Sequence, residues 1–76
     1  MLTIYGKDGC SSCDDAVKLC ELNKIKHVYV SLGKDYTIQD FYGIAPRSHK
    51  SFPMISFNGE FVGGLKELKE YISSIT

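Results

Sequence analysis

The residues of this chain best suited to chemistry are two cysteines separated by two serines, Cys10-Ser11-Ser12-Cys13. Thiols three positions apart in a short chain suit either reversible disulfide formation or one half of a metal site. A zinc site needs two further ligands. The candidates are Cys20, His27 and His49, and no two of them stand at the short spacing of a zinc finger. No metal is therefore expected. The odd count of three cysteines also speaks against a secreted, disulfide-stapled mini-protein, whose cysteines come in pairs. Redox chemistry is the remaining reading.

Position matters more than spacing for such a pair. Leu2-Thr3-Ile4-Tyr5 alternates briefly, as a short strand does. Gly6 to Ser12 is small and polar, a loop. From Cys13 onward Ala16, Val17 and Cys20 recur at helical spacing, with Asp14, Asp15, Lys18 and Glu21 mostly opposite, and the helix is expected to end near Asn23 and Lys24. Asp14 and Asp15 fall in its first turn, where negative charge suits the helix dipole. The dithiol thus lies between a strand and the start of a helix, whose first N–H groups lack internal partners and stabilise a thiolate. Cys10 is the expected nucleophile. Cys13, one turn further in, is the expected resolving thiol. Cys20 lies on the apolar face of the same helix and is read as a small core residue.

The rest of the chain supplies the frame. His27-Val28-Tyr29-Val30-Ser31-Leu32 reads as a second strand ended by Gly33. Thr37 to Tyr42 reads as a short helix, with Thr37 as N-cap, Ile38, Phe41 and Tyr42 on one side, and Gly43 as its stop. Residues 45–51 form a basic loop. Met54-Ile55-Ser56-Phe57 and Glu60-Phe61-Val62-Gly63 flank Asn58-Gly59, a strong hairpin signal because both turn residues tolerate positive φ. Leu65, Leu68, Ile72 and Ile75 mark an amphipathic last helix. The order is β-α-β-α-β-β-α, an α/β fold. A right-handed β-α-β unit plus a hairpin gives a four-stranded mixed sheet with helices on both faces.

With 76 residues there is core for one domain, residues 1–76. Hydrophobic residues make up 43% and charged ones 24%, the balance of an ordinary globular chain. Nine basic residues offset nine acidic ones, so no global field favours nucleic acid or anionic lipid. No apolar run approaches a membrane span, and the N-terminal residues do not read as a signal peptide. A cytoplasmic monomer is expected.

Three separated segments together resemble the glutaredoxin family of the thioredoxin superfamily, over essentially the whole chain. They are Tyr5-Gly6-Lys7-Asp8-Gly9-Cys10-Ser11-Ser12-Cys13, Ser51-Phe52-Pro53, and Val62-Gly63-Gly64-Leu65-Lys66-Glu67-Leu68. The resemblance implies the thioredoxin fold, a cis peptide bond before Pro53, and a dithiol oxidoreductase with no resident cofactor and glutathione as reductant. It implies that the glutathione sulfur meets Cys10 beside Ser12 and that its backbone pairs with Phe52 next to Pro53. It further implies that the glycyl carboxylate meets Lys7 and the γ-glutamyl end meets Gly64-Leu65. Arg47, His49 and Lys50 are candidates for a second cation. The clients implied are proteins carrying disulfides, ribonucleotide reductase among them.

Two departures from the family pattern stand out. Ser11-Ser12 replaces the usual Pro-Tyr, and Lys66 replaces an acid. Lys66 is then expected to meet the γ-glutamyl carboxylate, with Glu67 covering the amine. Two alternatives stay open: a thioredoxin-like reductase not fed by glutathione, and a glutaredoxin that holds a glutathione-ligated [2Fe–2S] cluster, as some members lacking the active-site proline do.

Overall fold

The computed structural model describes residues 1–46, 49 and 51–75, the last of these by its backbone only. Seven elements follow in the expected order: β1 (Leu2–Gly6), α1 (Ser11–Leu22), β2 (His27–Ser31), α2 (Ile38–Ile44), β3 (Met54–Phe57), β4 (Glu60–Gly63) and α3 (Leu65–Ile75). The sheet runs β2-β1-β3-β4. β1 pairs with β2 in parallel, while β1 with β3 and β3 with β4 are antiparallel, so the sheet is mixed.

Alternation along the strands builds two cores. Leu2 and Ile4 of β1 and Ile55 of β3 face α1 and α3, packing with Ala16, Cys20, Leu68 and Ile72. Tyr5, Met54 and Phe61 face the other way, toward Phe41 of α2, Tyr36 and Phe52. Helices therefore cover both faces of the sheet. Asn58 and Gly59 take φ of 52° and 85°, the left-handed pair a tight hairpin requires.

Several boundaries differ from expectation. α1 begins at Ser11 rather than Cys13, because Cys10 itself acts as N-cap; of the two aspartates only Asp14 then belongs to the first turn. β2 stops at Ser31, and Leu32 instead makes an isolated bridge to Tyr36. Thr37 caps α2 as expected, reinforced by a reciprocal bond in which Asp40 accepts the Thr37 N–H. Gly43, however, does not stop that helix. It sits inside α2, which ends at Ala45 in extended backbone, φ −80° and ψ 144°. Ala45 precedes Pro46, and the proline ring disfavours helical backbone in the residue before it. On α2 Phe41 is buried, but Ile38 and Tyr42 are 46% and 43% exposed rather than turned inward. Arg47 and Lys50, two of the candidate cations, lie outside the described residues, as does the side chain of Ile75. No helix among the described residues is long and apolar enough to cross a membrane.

Candidate active site

The β1–α1 junction carries the dithiol. Cys10 has extended backbone, φ −109° and ψ 105°, and its sulfur accepts the backbone N–H of Cys13 at 3.2 Å. The Asp14 N–H closes onto the Cys10 carbonyl at 3.3 Å, opening the helix. Cys10 is half-buried, whereas Cys13 is fully buried beneath it, and both are free thiols. Burial pushes the Cys13 thiol up to about 12, and its interaction with Cys10 adds to the rise. A backbone hydrogen bond from Lys7 works in the opposite direction, and the charges of Cys10 and Asp14 raise it further. Cys13 thus holds its proton tightly and is shielded from solvent, while Cys10 is the thiol a disulfide can reach. Cys20 sits in the core between α1 and the sheet, its thiol raised by burial.

The loop before Cys10 is held from behind. The Tyr36 hydroxyl donates to the Gly6 carbonyl at 2.8 Å, and the Leu32 N–H donates to the same oxygen at 2.9 Å. The Tyr29 hydroxyl donates to the next carbonyl, that of Lys7, at 3.4 Å. Tyr29 also lies so close over Gly6 that a Cβ there would overlap its ring. Neither tyrosine was singled out from the sequence. Tyr36 stands in a polar stretch, Gly33-Lys34-Asp35-Tyr36-Thr37, and a large aromatic in such a loop was the available signal.

The expected binding residues fall into two neighbouring groups. The Lys7 ammonium lies over the Phe52 ring, 5.1 Å from its centre, a cation–π contact. Phe52 packs in turn on Phe41, with ring centres 5.1 Å apart. The Phe52–Pro53 peptide is cis. Pro53 is buried, and its carbonyl lies 3.5 Å from the point a Cβ on Gly64 would occupy, so this segment abuts the start of α3. Leu65 is half-buried against the core, Lys66 is exposed, and Ser12 is half-buried in the first turn of α1.

Glu67 folds back onto the start of α3. Its carboxylate accepts the Gly64 N–H at 2.8 Å and so caps its own helix. That bond holds the carboxyl below the usual range, with the charges of Lys66 and His49 helping and partial desolvation opposing. Gly63, at φ +146°, must be glycine, because a Cβ there would run into the Glu67 side chain. His49, a candidate cation, is set among rings, stacked on Phe41 at 6.0 Å and edge-on to Phe61 at 5.1 Å, with its Nε2 buried and unpartnered. A surface cavity of about 610 Å³ opens beside the β1–α1 loop, lined by Lys7, Asp8, Asp14, Lys18 and Tyr29 among others; of the expected binding residues it includes Lys7 alone. Among the described residues no cluster of three or more His, Cys, Asp or Glu side chains could hold a metal ion.

No protein-family model matches this sequence, and no curated protein sequence is similar to it. Solved structures are. Reduced Escherichia coli glutaredoxin superposes with a TM-score of 0.81 at 22% identity, covering 96% of this chain and 93% of its own. Glutaredoxin 1 from Francisella tularensis, complexed with cacodylate, gives 0.75 at 26% identity over 97% and 93%. A buckwheat glutaredoxin–glutathione complex gives 0.77 at 16% identity over 96% of this chain and 68% of that one. The chain therefore has the thioredoxin fold in the form that these glutaredoxin structures share.

Proposed function

We propose that this chain is a dithiol thiol–disulfide oxidoreductase reduced by glutathione, with Cys10 as nucleophile and Cys13 as resolving thiol. The observation that carries this reading is the N-cap geometry. Cys10 is reachable, its sulfur sits 3.2 Å from the Cys13 N–H at a helix start, and the second thiol is buried directly behind it. A thiolate at this point accepts a charge-assisted hydrogen bond and faces the positive end of the helix.

The chemistry follows in two displacements. The Cys10 thiolate attacks one sulfur of a client disulfide, the client S–S bond breaks, and one client sulfur leaves as thiolate and takes up a proton. A Cys10–client mixed disulfide remains. The Cys13 sulfur then attacks Cys10, loses its proton, and expels the second client thiol as the Cys10–Cys13 bond forms. The client has gained two electrons and two protons. Two glutathione molecules, oxidised to their disulfide, return both to the protein.

Lys7, Ser12, Phe52, Pro53, Gly64, Leu65 and Lys66 are the residues proposed to bind glutathione. The Lys7–Phe52 contact and the closeness of Pro53 to Gly64 support one continuous surface for it. The first helical hydrogen bond of α3 runs from the Leu68 N–H to the Gly64 carbonyl, and with the Gly64 N–H taken by Glu67 the N–H groups of Leu65 and Lys66 are left for a carboxylate. A neighbouring fold has been solved as a glutaredoxin–glutathione complex. In the cell the chain is proposed to act as a cytoplasmic monomer on disulfide-bearing proteins, with ribonucleotide reductase a candidate client.

The test is reduction of bis(2-hydroxyethyl) disulfide under two electron supplies. Turnover with glutathione, NADPH and glutathione reductase is the expected result. Turnover with dithiothreitol or thioredoxin reductase, and none with glutathione, would make this a thioredoxin-like reductase instead.

A further inference from the structure

The binding reading above uses the backbone of Phe52 and leaves its side chain without a part. That ring lies under the Lys7 ammonium, with the nitrogen 5.1 Å from the ring centre. The face of an aromatic ring is the negative side of its quadrupole and attracts a cation at this range. Lys7 belongs to the loop between β1 and α1, three residues before Cys10. The contact therefore ties the segment before Pro53 to the loop that carries the nucleophile.

The ring is well fixed for such a task. Phe52 packs on Phe41 with ring centres 5.1 Å apart and planes tilted by 44°. Phe41 is only 1% exposed. Phe52 is half-buried against the core cluster of Tyr36, Phe41, Ala45 and Met54, and its neighbour Pro53 is fully buried. Lys7, by contrast, is an exposed loop residue. A free lysine side chain samples many rotamers, and a ligand that fixes it must offset that entropy. Prior restraint by a rigid ring reduces the cost.

The kind of partner also matters. A carboxylate could restrain Lys7 as well as a ring does, but it would neutralise the ammonium and compete with an anionic substrate. Asp8 and Asp14 line the same surface cavity as Lys7, yet Lys7 forms no ion pair among the described residues. A phenyl ring has no net charge. It restrains the ammonium and leaves the positive charge for a ligand.

We propose that Phe52 is a positioning residue: its ring holds the Lys7 ammonium ready for a substrate carboxylate, so the site selects carboxylate-bearing disulfides over neutral ones. This inference rests on the glutathione reading above, in which Lys7 meets the glycyl carboxylate, and gives the Phe52 side chain a role in it.

The experiment presents two substrates to the full, reduced chain. One is a cysteine peptide in mixed disulfide with glutathione; the other is the same peptide in mixed disulfide with uncharged 2-mercaptoethanol. With the first, the Cys10 thiolate bonds to the glutathione sulfur and the bond to the peptide sulfur breaks. The peptide leaves as thiolate and takes up a proton. The readout is the ratio of the two second-order rate constants, which cancels any general change in folding or in Cys10 reactivity. The wild type should prefer the glutathione-linked peptide. Phe52→Leu should cut that preference about two- to fivefold, the magnitude of a cation–π contact at an exposed site, and Phe52→Tyr should retain it. Replacing Phe52 by 4-fluoro- and then 3,4,5-trifluorophenylalanine keeps the ring's shape and withdraws electron density from its face. The preference should fall stepwise along that series, even if Phe52→Leu folds poorly. In a Lys7→Met background the series should be flat. A preference indifferent to ring fluorination, or one that falls equally in the Lys7→Met background, overturns the inference and leaves the glutathione reading intact. No preference in the wild type overturns both.

Discussion

The sulfur of Cys10 caps the helix that carries Cys13, accepting the Cys13 N–H at 3.2 Å. One atom therefore serves as both structural cap and candidate nucleophile, and its partner thiol is carried on the helix it caps. The half-buried position of Cys10 and the full burial of Cys13 and Cys20 make a direct expectation about reactivity. Iodoacetamide at neutral pH should label Cys10 first in the reduced protein, as read by peptide mass mapping. Earlier labelling of Cys13 would reverse the assigned roles.

A second expectation concerns alkaline stability. Burial raises the Cys13 thiol from its ordinary 9.0 to about 12. The folded state therefore holds this proton more tightly than the unfolded chain does. The stability so contributed is fully present below pH 9 and is lost as pH rises toward 12. In the disulfide form this proton is absent. The melting temperature of the reduced protein should fall more steeply above pH 9 than that of the oxidised protein; Cys20, raised by burial alone, acts in both forms, while Tyr36 is raised by burial and in part by the two thiols, which adds to the difference. Parallel melting curves would contradict it.

Cys20 should matter for stability alone. It belongs to the buried cluster of Leu2, Ile4, Ala16, Ile55, Leu68 and Ile72. Cys20→Ala removes one buried atom and should cost about 1 kcal/mol. That corresponds to a fall of roughly 4–8 °C in Tm for a domain of this size, with turnover retained. Loss of turnover at unchanged Tm would identify Cys20 as a working thiol.

The element order and the place of the dithiol were legible because both rest on short-range pattern: alternation in β1 and β3, helical spacing through Ala16 and Cys20, and the Asn58-Gly59 turn. What escaped the sequence depended on contacts across the fold. The start of α1 at Ser11 differs from the expectation because the helical spacing of apolar residues begins only at Cys13 and a cysteine is not among the usual cap residues. The end of α2 was set by Pro46 acting on Ala45, not by the more conspicuous Gly43. Nothing local announces that Tyr36 reaches the Gly6 carbonyl thirty residues away, or that His49 packs against the rings of Phe41 and Phe61.

Lys66 tests the proposed glutathione surface. It is exposed in the first turn of α3, beside a Glu67 whose carboxylate is committed to the Gly64 N–H. If Lys66 attracts a substrate carboxylate, Lys66→Ala should raise the KM for glutathione while leaving kcat nearly unchanged. Added salt should shrink the difference, because exposed charges are screened over a Debye length of about 8–10 Å. An unchanged KM at low salt would remove this helix end from the binding surface.

The central claim is that Cys10 and Cys13 form a reversible redox pair, and the most direct measurement is to find the bond. Reduced protein is equilibrated with oxidised dithiothreitol, quenched in acid, and its disulfides mapped by mass spectrometry, then re-reduced and mapped again. The expected product is a single intramolecular Cys10–Cys13 disulfide with Cys20 free, lost again on reduction, and absent from both Cys10→Ser and Cys13→Ser. A disulfide that includes Cys20, or no disulfide across the full range of redox buffers, would contradict the account.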